Sequence, residues 1–235
     1  MDRWSIYIDI EGFSAIYEQN SQALLSLGAL MEGIYIIGSK CFSNSPNRIF
    51  AHQLGDGFVI VGEFGVETLE VPLSIAILLM RFVLKAGGTA KSAISEGSFA
   101  DVKGCYPNCI RENSGENGVI RLGSGLMTIF PVMGTALIIS HKVLSLSPSG
   151  SLLVLEKSLL SRIPKEAQFI DIFDSDLLAI DWLHTSFPSL IDLVAQTGLL
   201  PPDALNMESL LKKYLAGNEL SSAWKRNTRK ALNLE

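Results

Sequence analysis

The chain is poor in cysteine and histidine and has no excess of positive charge. Its three cysteines, Cys41, Cys105 and Cys109, are odd in number and irregularly spaced. No disulfide framework follows, and a reducing cytoplasm is the expected setting. Cys105 and Cys109 sit close together, but no second thiol pair or neighbouring histidine completes a zinc site. Nineteen basic and 24 acidic side chains give a net charge of −5, which is not the footprint of a nucleic-acid binder. The most apolar stretch, Val71 to Leu84, contains Arg81. It falls short of the roughly 20 residues that span a bilayer and reads as a buried helix. No secretory leader is expected either, because the N-terminus runs into acidic residues without a continuous apolar segment. A Walker A loop and a Gly-x-Ser-x-Gly elbow are both missing.

What is present is apolar bulk. Of 235 residues, 48% are hydrophobic, enough to build one large core with an appendage. Residues 3–10 alternate and are β-branched, so they predict a strand. Helices are expected over 14–20 and 21–42, the second with a broad apolar stripe. Residues 48–54 and 57–63 read as a hairpin with Gly55-Asp56-Gly57 at its tip. A helix at 71–86 is closed by Gly87-Gly88, and a strand follows at 90–95. Residues 103–118 are polar and predict an exposed, mobile loop. Beyond it come a strand at 119–131, a helix at 134–145, and strands at 151–155 and 166–173. Past Asp174 the pattern turns helical, over 175–198, 206–217 and 219–232. The last of these is basic (Lys225, Arg226, Arg229, Lys230) and reads as a solvated face. The order implies an α+β domain over 1–173, a mixed sheet covered by helices, with a helical C-terminal extension over 174–235.

Two aspartates carry the chemistry. Asp9 ends the apolar run Ile6-Tyr7-Ile8, and Asp56 interrupts Leu54-Gly55-Asp56-Gly57-Phe58. Each has glycine nearby, as acid groups on tight turns at strand ends do when a ligand approaches the backbone. Brought together on neighbouring strands, they would bind two divalent cations, and through them a polyphosphate. Taken singly, Asp56 is also what a hairpin turn prefers, and Asp9 also what caps a helix.

Asp9-Ile10-Glu11-Gly12-Phe13-Ser14 resembles the D-I-x-G-F-[ST] element of class III nucleotidyl cyclases. Leu54-Gly55-Asp56-Gly57-Phe58, 47 residues on, resembles their second metal element, G-D-x-[FY]. Lys91-Ser92-Ala93-Ile94-Ser95-Glu96-Gly97 resembles their R-x-G-I-x-x-G strand. The Gly-Gly-Asp/Glu-Glu-Phe motif of diguanylate cyclases, whose core is similar, is missing. The resemblance covers about residues 3–173 and implies a ferredoxin-like βαββαβ core in a head-to-tail homodimer. It implies Asp9, Asp56 and the Ile10 carbonyl as ligands of two Mn²⁺ or Mg²⁺ ions, and the amides of Gly12, Phe13 and Ser14 near the β- and γ-phosphates. The implied reaction is attack of the substrate's 3′-hydroxyl on its own α-phosphate, with release of pyrophosphate.

The departures from that family bear on the substrate. Where adenylyl cyclases place an adenine-reading lysine, four residues before the second aspartate, stands His52. Aligning the later D-x-x-G-x-x-V-N-x-A-x-R element on Gly134 puts Pro131 at its aspartate, Ile138 at its asparagine and Lys142 at its arginine. Purine determinants are thus lost while the metal aspartates are kept. In this the chain resembles the pyrimidine cyclases of Pycsar antiphage systems, which make cyclic UMP or cyclic CMP to activate a separately encoded effector. That resemblance implies UTP before CTP as substrate, with Phe50 and His52 lining the base site. It also implies Lys142 from the partner protomer, or Lys91, as the transition-state cation, with Arg81 and Arg121 as further candidates. A purine cyclase, or a silent nucleotide-binding domain of the same fold, is the competing expectation.

Overall fold

The computed structural model describes residues 2–13, 22–43, 49–63, 67–113, 118–129, 132–172, 176–201 and 203–234. The helix expected at 14–20 lies outside them, as do Ser14 and Pro131.

Strand β1 (Asp2–Ile10) is the pivot. Its alternation sends Trp4, Ile6, Ile8 and Ile10 to one face and Ser5, Tyr7 and Asp9 to the other. Helix α1 (Gln22–Cys41) leads to the hairpin β2 (Phe50–Leu54) and β3 (Gly57–Glu63), then α2 (Glu70–Lys85) returns the chain to β4 (Ala90–Ser98). These four strands pair antiparallel in the order β4-β1-β3-β2, which is the ferredoxin-like split βαββαβ. By length and composition α1 is apolar enough to cross a bilayer. In the fold it lays Ala23, Ser26, Ala29, Leu30, Gly33, Ile34 and Ile37 inward, and it packs on α2, whose residues 72–81 are all buried.

The region expected to be a loop is an arm of short elements. β5 (Ala100–Asp101) pairs with β8 (Val132–Met133), and between them lie a short helix, α3 (Asn108–Arg111), and the hairpin β6 (Val119–Leu122) and β7 (Gly125–Thr128). The single strand predicted over 119–131 is therefore two strands, turned at Gly123, which has a φ of 63°. Helix α4 (Thr135–Leu146) then crosses the Tyr7 face of the sheet.

The sheet has seven strands, in the order β10-β11-β9-β4-β1-β3-β2, with β9 at Leu153–Glu156, β10 at Phe169–Asp171 and β11 at Leu177–Ile180. The helix predicted from residue 175 does not form there. Leu177-Leu178-Ala179-Ile180 is a short apolar run, ambiguous between helix and strand by pattern alone. The open edge of β9 decides it: β11 inserts between β9 and β10, and all four of its residues are buried. Helix begins only at α5 (Pro188–Thr197), followed by α6 (Ala204–Gly217) and α7 (Ser222–Ala231). Helices α5 and α6 pack on α2 and share the core of the Ile6 face, through Leu190, Leu211 and Tyr214 among others.

His184, expected on a helix, sits in the turn after β11. Its Nδ1 is 2.8 Å from Asp181 and its Nε2 is 3.1 Å from Glu208 on α6. Burial alone would lower its pKa, but the hydrogen bonds and charges of Asp181 and Glu208 raise it. A raised folded-state pKa stabilises the fold below the unfolded value and ceases to do so as pH rises through the folded value. Denaturant titrations should therefore show wild-type stability falling as pH rises from about 6.5, the ordinary histidine value, and His184→Gln should flatten that fall. An unchanged pH slope in His184→Gln would remove this account.

Candidate active site

Strand register brings the two aspartates together. Asp9 pairs with Gly57 across β1 and β3, and the Ile10 N–H donates to the Asp56 carbonyl at 3.4 Å. Asp9 is the penultimate residue of β1 and Asp56 occupies the β2–β3 turn, so both lie at the same end of the sheet. Gly57 makes this possible: a Cβ there would lie 2.7 Å from the Asp9 Oδ1 and 2.8 Å from the Ile8 carbonyl. Gly55, with a φ of 65°, turns the hairpin, and Gly12, with a φ of 74°, turns the chain after β1.

The two carboxylates repel each other. Burial, then the charge of Asp56, then that of Glu11 raise the Asp9 pKa to about 7, against the opposing pull of the Ile10 backbone hydrogen bond and Lys91. Tyr7, one step back along the same face, is also raised, by burial and then by Asp9 and Asp56. Two half-buried carboxylates with little positive charge beside them are relieved either by a proton on Asp9 or by a cation between them.

The donor set fits Mg²⁺ or Mn²⁺: two carboxylates and the main-chain carbonyl of Ile10 are hard oxygen donors. Among the described residues, no group of three or more His, Cys, Asp or Glu side chains forms a metal cage.

Lys91 lies across β4 from Asp9. Its Nζ donates to the Ser147 carbonyl at 3.0 Å, and burial lowers its pKa against the pull of Glu11 and Asp9. Among the described residues, Lys91 is a cation whose charge acts on Asp9. Arg81 does not reach the site. Its guanidinium donates to the carbonyls of Trp182 (2.9 Å), Leu183 (3.1 Å) and Thr185 (2.6 Å), so it organises the turn after β11. Arg121 is exposed on β6, and Lys142 is exposed on α4. Helix α4 buries Ser140, Val143 and Leu144 instead and leaves Ile138 62% and Leu146 69% exposed.

Phe50 and His52 share the face of Asp9. Three rungs run side by side: Asp9, Gly57 and Leu54; then Tyr7, Val59 and His52; then Ser5, Val61 and Phe50. Ideal sheet spacings put His52 about 12 Å from Asp9 between Cα atoms. The Phe50 and His52 rings stack with centroids 6.5 Å apart, and Phe50 packs on Phe99 at 5.7 Å. Burial lowers the His52 pKa, which keeps the ring neutral at pH 7 and able either to donate or to accept.

Four neighbours were not foreseen from the sequence. Tyr7 is one; His141 on α4 meets the Tyr7 ring edge-on at 5.1 Å. Glu11 accepts a 2.5 Å hydrogen bond from the Trp224 indole on α7. Glu11 stands inside the Asp9–Phe13 motif, which was a signal that could have been used. Nothing local marks Trp224.

No family model matches the chain, and no curated protein matches it. Solved structures of similar fold include the guanylyl cyclase Cya2, with 11% identity and a TM-score of 0.43 over 80% of this chain and 94% of that one. A bacterial light-regulated adenylyl cyclase has 9% identity and a TM-score of 0.46, over 89% of this chain and 57% of that one.

Proposed function

We propose that the chain is a metal-dependent nucleotidyl cyclase that converts a pyrimidine nucleoside triphosphate, UTP before CTP, to its 3′,5′-cyclic monophosphate and pyrophosphate. The observation that carries this reading is the meeting of Asp9 and Asp56 at one end of the sheet, by the register of β1 on β3.

In this reading Asp9, Asp56 and the Ile10 carbonyl hold two Mn²⁺ or Mg²⁺ ions. When bound, such ions lower the pKa of the 3′-hydroxyl and offset the charge of the triphosphate and the leaving group. The Gly12-Phe13 turn offers backbone N–H groups to the phosphates. The 3′-oxygen forms a bond to the α-phosphorus as the bond to the bridging α–β oxygen breaks; pyrophosphate leaves and the hydroxyl proton passes to solvent. Phe50 packs against the base and His52 hydrogen-bonds its edge. A base site that begins at His52, about 12 Å from Asp9, lies on a strand without the lysine that reads adenine.

The reading includes a homodimer. Ile138 and Lys142 lie one helical turn apart on the exposed side of α4, and Leu122, Leu126 and Met133 of the arm are exposed as well. A second copy covering these apolar residues would bring Lys142 to the partner's phosphates, making each site composite. The cyclic product would then act on a separately encoded effector, as in antiphage defence.

Incubation of the protein with each of the four ribonucleoside triphosphates and Mn²⁺, with products identified by mass, tests the reading. Cyclic UMP is the expected main product and sedimentation should give a dimer. Exclusive formation of a cyclic purine would overturn the substrate assignment. No product from any nucleotide would overturn the enzyme.

A further inference from the structure

Helix α7 grips the site at two points. On one side the Trp224 Nε1 donates to Glu11, whose own N–H donates to the Thr89 carbonyl at 2.9 Å. On the other, Asn227 donates to the Ser149 carbonyl at 2.8 Å and the Ser151 N–H donates to Thr228 Oγ1 at 3.0 Å. Those contacts fix the connection from α4 to β9, and the same connection supplies the Ser147 carbonyl that holds Lys91. Glu11 in turn acts on Lys91 by charge. The helix is itself braced: Trp224 packs on Tyr214 of α6 with centroids 6.1 Å apart. Trp224 belongs to the core of the Ile6 face and Ala231 to that of the Tyr7 face, so α7 straddles the end of the sheet where Asp9 emerges.

We infer that Trp224 and Glu11 are positioning residues for the metal-and-phosphate turn, and that α7 is a working part of the site rather than an appendage. The inference rests on the cyclase reading for its effect on turnover, but not for its effect on the turn. Trp224 fixes Glu11, the residue between the ligand Ile10 and the turn glycine Gly12. Thr228 and Asn227 fix the carbonyl strap that aims Lys91 toward Asp9. The first grip bears on Glu11 and the second on the support of Lys91, and both of these charges act on Asp9. Partners one step behind the groups that touch a metal are typically worth about 10- to 100-fold in affinity or activity.

The test uses the full chain and three variants. Trp224→Phe keeps a ring against Tyr214 but loses the N–H donor. Glu11→Gln keeps an acceptor for Trp224 but loses the charge on Lys91. Thr228→Val releases the other grip. Two quantities are read: amide hydrogen exchange of Glu11 to Phe13 without nucleotide, and kcat and KM with Mn²⁺ and the preferred nucleotide. Trp224→Phe should speed exchange at Glu11 to Phe13 about tenfold and lower kcat about 10- to 100-fold, with a smaller change in KM. Glu11→Gln should leave exchange near wild type while lowering kcat. Thr228→Val should lower kcat without altering exchange at Glu11. Exchange and kcat both within twofold of wild type in Trp224→Phe would overturn the inference. If the wild type turns over no nucleotide, the cyclase reading fails alone, and the exchange result still decides whether Trp224 orders the turn. If Trp224→Phe does not fold, the Glu11→Gln and Thr228→Val kinetics decide, and wild-type kcat in both would overturn the inference.

Discussion

Asp9→Asn and Asp56→Asn should each lower turnover on the order of a thousandfold, and Asp9→Asn should at the same time make the metal-free protein more stable. The first effect follows from the proposed metal site: a bound metal would supply several kcal/mol of transition-state charge stabilisation, and each ~1.4 kcal/mol is tenfold in rate. The second follows from the raised Asp9 pKa of about 7. An acid whose folded pKa exceeds its unfolded value favours the fold below the unfolded pKa, and that contribution is lost as pH rises through the folded one. For Asp9 the loss runs from about pH 4, its ordinary range, to about pH 7. Above that window the wild type keeps a buried anion beside Asp56, and the asparagine variant does not. Allowing severalfold for relaxation, the gain is about 1–2 kcal/mol. Denaturation at pH 8 without metal reads it directly. Added Mn²⁺ should raise the wild-type melting temperature and leave that of Asp9→Asn nearly unchanged. Wild-type turnover in either variant, or equal Mn²⁺ stabilisation of both proteins, would remove the metal site.

Gly57→Ala should be nearly as damaging, by a different route. The new methyl would lie 2.7 Å from the Asp9 carboxylate oxygen and 2.8 Å from the Ile8 carbonyl. The carboxylate can swing aside, which removes it from the site, but the central-strand carbonyl cannot. Overpacking of this kind costs about 1–3 kcal/mol, and turnover should fall with the displaced Asp9. Gly55→Ala, two residues away, is the control. No atom lies within 4 Å of its added Cβ, and only the φ of 65° opposes it, at about 1 kcal/mol. It should therefore lose stability and keep most of its turnover. Melting curves paired with initial rates separate the two; equal loss of activity in both variants would refute the steric argument.

The parts of the fold legible in the sequence are those with a local cause. The alternation of Trp4, Ile6, Ile8 and Ile10 marks β1, and Gly55-Asp56-Gly57 marks the hairpin; that Asp9 and Asp56 meet is what the resemblance to the cyclases implies, since local pattern does not pair β1 with β3. Leu177–Ile180 carries no such signal. Its four apolar residues suit either helix or strand, and only the vacancy beside β9 assigns them. The same holds for the surroundings of the site. Trp224 lies 213 residues from Glu11, and the acceptor of Lys91 is a main-chain carbonyl, which no side-chain pattern announces. In the sequence Arg81 is a further candidate for the transition-state cation because the position of the family's arginine holds Lys142. Its guanidinium instead serves three carbonyls of the turn after β11.

The order of β9, β11 and β10 in the sheet reverses the order in which the last two are synthesised. A growing chain that has emerged only as far as β10 still lacks β11, the strand that lies between β10 and β9 in the finished sheet. Until residue 180 clears the ribosome, the buried Leu153-Val154-Leu155 edge stays open, and an open apolar edge is a template for pairing with other chains. Closing that flank is thus a late event in biogenesis. A fragment ended at residue 173 would be left with an adhesive margin rather than a finished domain.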